Sequence, residues 1–136
     1  MATVTVLKKN PSQVIASFLG TGSGTLELAD MATDYEILDA PNAQVNINAV
    51  MFSVSGTTTV KRNTTNVLTL TDGQDTLRFA AELGCSLSVG NGSNVVVDTG
   101  AADGTVIVSL SKVAGFTPNV ETSIGFDITQ KTSIRA

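Results

Sequence analysis

At 136 residues, with 42% apolar and 15% charged side chains, the chain has the size and apolar content of a single folded domain. A net charge of -4 argues against nucleic-acid binding, which requires a basic patch. The lack of histidine and the single cysteine exclude His-based nucleophile pairs, ordinary zinc sites and an internal disulfide framework.

From the N-terminus, Thr3, Val4, Thr5 and Val6 alternate before Lys8, Lys9, Asn10 and Pro11. That pattern predicts a short strand or an extended arm over residues 1–12, ahead of one β domain over residues 13–136. Val14, Ile15, Phe18 and Leu19 read as a second strand, with a short helix capped by Ser12 as the alternative. Gly20, Gly22 and Gly24 follow as a flexible connection rather than a phosphate loop, because no Lys-Ser/Thr pair comes after them. Between residues 25 and 39, Glu27, Asp30, Asp34, Glu36 and Asp39 occur without a base. The stretch reads as a solvated face, with a cation site or a contact for a basic partner as the functional alternative. A short strand is expected at residues 34–38, closed by a turn around Pro41.

The run from Ala43 to Arg62 carries no charge before Lys61 and organises the rest. Val45 and Ile47 lie at odd positions, whereas Val50, Phe52 and Val54 lie at even ones. Side chains alternate faces along a strand, so the change of parity predicts a bulge or a strand passing between two sheets. In the C-terminal half, strands are expected at 67–70, 76–79, 85–89, 95–97 and 105–110. Asp72-Gly73, Asn91-Gly92 and Asp103-Gly104 read as hairpin turns of an antiparallel meander. Leu77 and Phe79 are expected inward, Cys85 as a small core residue, and one helical turn at Ala80–Gly84. A loop around Pro118 precedes a last strand with Ile124, Phe126 and Ile128, then a polar tail through Lys131 and Arg135. The predicted fold is all-β: an antiparallel β-sandwich or jelly roll with short hairpins and little helix.

No stretch is long and apolar enough to span a bilayer, and the N-terminus has no signal-peptide core, so the chain is expected to fold in a cytoplasm. Asn63-Thr64-Thr65 and Asn91-Gly92-Ser93 match the N-glycosylation pattern and are read as chance in an Asn- and Thr-rich chain. Asp72, Asp75, Asp98 and Asp103 fall in predicted turns, where calcium is an option, but their spacing matches no known loop. No catalytic, cofactor-binding or metal-binding residue is assigned, and no cofactor is implied.

The segment Val95-Val96-Val97-Asp98-Thr99-Gly100-Ala101, with the following Thr105-Val106-Ile107, resembles the active-site signature of retroviral-type aspartic proteases. That resemblance implies a dimer in which Asp98 and its symmetry mate share a proton and activate water. Asp98 lies late in the chain, and Ile124-Gly125 follows too soon to leave room for a flap. In its histidine- and tryptophan-free, Thr/Ser/Asn/Gly-rich composition, its short hairpins and its possible N-terminal arm over Ala2 to Lys9, the chain resembles small β-rich structural proteins of tailed bacteriophages. The resemblance implies a non-catalytic, homo-oligomeric capsid decoration protein or head–tail accessory component. Its partners would be other virion subunits (capsid, neck or tail), with no nucleic acid and no membrane, and it would reside in the virion after assembly in the host cytoplasm. A carbohydrate-binding β-sandwich is the second class, for which Tyr35 is the one exposed-platform candidate outside the five phenylalanines.

Overall fold

The computed structural model describes residues 2–118. Its elements in chain order are β1 (Thr3–Lys9), β2 (Gln13–Leu19), β3 (Ser23–Leu26), the single helical turn α1 (Leu28–Met31) and β4 (Glu36–Leu38). Then come β5 (Gln44–Val54), β6 (Thr58–Arg62), β7 (Thr65–Leu70), β8 (Gly73–Arg78), β9 (Val95–Asp98), β10 (Gly104–Ala114) and β11 (Phe116–Pro118). A 3-10 turn at Ala40–Asn42 and a π turn at Phe79–Leu83 are the other helical pieces among the described residues. The latter occupies the position expected for one helical turn, and Gly84 closes it in the left-handed region at φ 75°.

Among the described residues every strand pairing is antiparallel, and four of the pairings nest. β6 and β7 form the innermost hairpin, then β5 pairs with β8, β3 with β9, and β2 with β10. The chain is therefore one long two-stranded ribbon folded at Asn63-Thr64 and wound upon itself, so that β10 also pairs with β5 and β6 with β9. Winding yields a five-stranded sheet, β1-β2-β10-β5-β8, facing a four-stranded one, β3-β9-β6-β7. Without β1, this is the eight-stranded order of a jelly roll. β1 adds an edge strand paired in cis with β2, so residues 3–9 take the strand alternative; a small two-stranded ribbon, β4 with β11, lies apart.

The core fills the space between the two large sheets. Val14, Ala16, Val50, Val106, Val108 and Leu110 project from one, and Leu26, Val60, Leu70, Val95 and Val97 from the other. The parity change in the central strand is a bulge: Ser109 pairs with Ala49 and Leu110 with Ile47, leaving Asn48 as the extra residue. Val45, Ile47 and Val50 thus all reach one core and are fully buried. Burying each is worth roughly 1.5 to 3 kcal/mol before conformational entropy is subtracted.

Several local expectations are corrected. None of the three Gly-containing turns joins paired strands. Asp72-Gly73 and Asp103-Gly104 carry the chain from one sheet to the other, and Asn91-Gly92 lies in a loop. A turn signal fixes where the chain reverses, not which strand it returns to. At Gly104 the constraint is a close approach, since a Cβ there would sit 2.7 Å from the Ser53 carbonyl oxygen on β5. Residues 85–89 are not a strand. Only Leu87 bridges to Ile47, leaving Cys85 exposed rather than in the core. The Pro118 region is not a loop, because Phe116–Pro118 pairs with Glu36–Leu38. The expected last strand with Ile124, Phe126 and Ile128 lies outside the described residues.

Candidate functional site

The acidic stretch disperses into separate local roles. The Glu27 backbone N–H donates to Asp30 Oδ2 at 3.2 Å across α1, and Asn42 Nδ2 donates to Asp39 Oδ2 at 2.9 Å. Glu36 turns inward, leaving Asp34 exposed. Among the described residues, no three His, Cys, Asp or Glu side chains are grouped to hold a metal ion. Asp98 ends β9 with both carboxylate oxygens engaged. Oδ1 accepts the Gly100 N–H at 2.9 Å and Oδ2 lies 3.8 Å from Lys61 Nζ. Thr99 is buried, and its hydroxyl accepts from the Gly22 N–H at 2.9 Å while lying 3.2 Å from the carbonyls of Gly20 and Gly22. The Asp-Thr-Gly segment thus clasps the glycine-rich β2–β3 connection of its own chain. Asn63, in the first glycosylation-like triplet, is the hairpin residue on which the whole ribbon folds, at φ 55°.

Among the described residues, the five-stranded sheet has more strands than the sheet it faces, and its other face is turned away from the core. Its side chains are those that alternate with the core positions. One row across all five strands reads Thr5, Ser17, Ile107, Met51, Thr76, and the next reads Thr3, Leu19, Thr105, Ser53, Gln74. A third runs Ile15, Ser109, Ala49 between Lys8 on β1 and Arg78 on β8. Among the described residues, charge on or beside this face stands on its two marginal strands: Lys8 on β1, and Arg78 and Asp75 on β8. Leu19 and Met51 are each more than half exposed on it, and a trough of about 370 Å³ runs along β5, β8 and β10 past Met51, Thr76 and Ile107. With strands about 4.8 Å apart, the face measures on the order of 500 Å².

At one end of the sandwich the β4–β11 ribbon is fastened to β10 by a buried ion pair. Lys112 Nζ lies 2.5 Å from Glu36 Oε1, with both side chains only 3% exposed, and the ammonium sits 4.7 Å from the centre of the Phe116 ring. Burial alone would raise the Glu36 pKa. The hydrogen bond and charge of Lys112, with the Thr33 N–H at 2.9 Å, overcome that and hold it below the ordinary glutamate value. Beside the ribbon, a groove of about 520 Å³ opens between Lys9, Asn10 and Pro11 on one side and Thr33, Asp34, Tyr35, Glu36 and Pro118 on the other. Tyr35, at 81% exposure, is the most exposed large apolar residue described.

No protein-family model, curated protein or solved structure matches the chain. Alternation in the sequence marks which side chains leave the core, but not that five strands align them into one face with an uncharged centre. The Glu36–Lys112 pair joins residues 76 positions apart, and no local pattern announces it.

Proposed function

We propose that the chain is a structural, non-catalytic component of a virus particle, of the capsid decoration or cement kind or a head–tail accessory protein, that binds other virion subunits and copies of itself. The outer face of the five-stranded sheet, uncharged across its three inner strands β2, β10 and β5, carries this reading. A face of on the order of 500 Å² is smaller than the roughly 800 Å² per partner of a standard stable interface, so one contact through it is weak. Repetition over a lattice or ring turns such contacts into firm attachment. The jelly roll recurs in viral capsid domains and also in lectin domains, so fold alone favours neither class. Asp98 serves in this reading as a turn residue and salt-bridge partner. Assembly would take place in the host cytoplasm and leave the protein in the virion.

The test is composition. Particles are purified by density gradient from a lysate in which the chain is produced, and their proteins quantified by mass spectrometry. The chain is expected to co-migrate with particles at a fixed, multi-copy ratio to the major subunit. Its absence from the particles would remove the virion role. For the protease alternative, peptide cleavage lost in Asp98→Asn would overturn the non-catalytic assignment.

A further inference from the structure

The groove beside Tyr35 has features that the fold does not require. Among the described residues, neither the Tyr35 hydroxyl nor the Asp34 carboxylate has a hydrogen-bond partner, and both stand at the rim. Asn10 on the opposite wall is held in one orientation. Its Oδ1 accepts from the Ser12 N–H at 2.9 Å, the Ser12 hydroxyl at 3.0 Å and the Gln13 N–H at 2.8 Å, which leaves its Nδ2 as a fixed donor. Pro11 and Pro118 are stiff walls, and the buried Glu36–Lys112 pair fastens the ribbon on which Tyr35 and Asp34 ride. An aromatic face, a carboxylate acceptor and an oriented amide donor therefore surround a space of the size that small ligands fill.

The charges decide the class of ligand. Lys9 brings one positive charge, already engaged in part by the Asp30 carbonyl at 3.3 Å, Asp34 brings one negative charge, and the Glu36 carboxylate that also lines the groove is neutralised by Lys112. A groove so balanced has no net attraction for an anion or a cation. What it offers is an apolar ring for the C–H face of a neutral ligand, with a donor and a strong acceptor for neighbouring hydroxyls. We infer that this groove is a binding site for a neutral saccharide of one or two pyranose rings, with Tyr35 as its platform and Asp34 and Asn10 as its hydroxyl partners. The site is separate from the outer sheet face and stands whether or not the assembly role does.

The chain carries its own reporter. Tyr35 is its only tyrosine and there is no tryptophan, so tyrosine emission reports this one ring. The full chain is screened on a glycan array and then titrated with neutral mono- and disaccharides up to about 10 mM, the weak range expected of one shallow site. At least one sugar is expected to change Tyr35 emission saturably. Tyr35→Ala and Asp34→Asn are each expected to weaken its binding by about tenfold or more, read by ligand-observed NMR, with an unchanged unfolding midpoint because both positions are exposed. A panel with no bound sugar overturns the site, as does a sugar that Tyr35→Ala binds equally well. A proline-rich peptide that shifts Tyr35 emission where no sugar does would overturn the ligand class.

Discussion

Arg62 is fully buried on β6, and no carboxylate among the described residues lies within ion-pair distance of it. Its guanidinium instead donates to the carbonyls of Val45 at 2.6 Å, Asn91 at 2.9 Å and Ser93 at 2.7 Å, tying the loop before β9 to the central strand. Burial pushes its pKa down to about 10, so the group stays protonated through the neutral range and adds no pH dependence to stability there. Arg62→Lys keeps the charge but cannot reach three carbonyls in one plane, and is expected to cost about 2 kcal/mol; Arg62→Met, which strands all three, about 3 kcal/mol or more. Urea unfolding of the two variants checks this order. On the same strand, the hydroxyl of Thr58 is wholly buried and has no partner among the described residues. Thr58→Val should therefore raise stability by about 1 kcal/mol in the same assay, and a loss would mean that the hydroxyl is satisfied after all.

Among elements, the β4–β11 ribbon needs support beyond its own pairing, because three residue pairs cannot hold a two-stranded sheet in water by themselves; the Glu36–Lys112 pair supplies it beside the packing of Phe116 against the core. The folded pKa of Glu36 is depressed, so the pair's contribution is complete above the ordinary glutamate value of 4.5 and is lost as pH falls through the lower folded value. Glu36→Gln leaves the Lys112 ammonium buried and unpaired, at an expected cost of about 3 kcal/mol at pH 7. The variant should also lose part of the wild type's acid sensitivity below about pH 4.5, which unfolding curves across pH would show. β1 is an element of the core too, since Val4 and Val6 pack against it and the strand pairs along β2. Deleting residues 2–9 is expected to destabilise the fold by about 3 kcal/mol, read by thermal unfolding, rather than to affect only association. Most strands were legible because alternation is local: Thr3–Val6, Val14–Leu19, Val45–Val54 and Val106–Leu110 all announce themselves. Their partners were not, because Asp-Gly and Asn-Gly report a reversal of the backbone while burial between two sheets selects the pairing.

For the whole molecule, the nested ribbon explains both the surface and the limits of the sequence. Once the chain folds at Asn63-Thr64 and winds, residues as far apart as Thr5, Ser17, Met51, Thr76 and Ile107 fall into one row, so the candidate face exists only as a product of topology. Tyr35 was legible as the one unusual aromatic, whereas the groove beside it, built from the β1–β2 turn and the β4–β11 ribbon, was not. Charge placed at the centre of the outer face should abolish association through it, because a lysine pressed against another uncharged surface loses hydration without gaining a partner. Met51 is the position for this change, since its side chain is 51% exposed and Met51→Lys should leave the fold's stability nearly unchanged. Sedimentation of wild type and Met51→Lys across a concentration range then separates the cases. A wild-type oligomer that Met51→Lys returns to monomer places the self-contact on this sheet. A dimer indifferent to Met51→Lys moves the contact elsewhere and makes Asp98→Asn the variant to examine, since a paired aspartate site forms only across a two-fold.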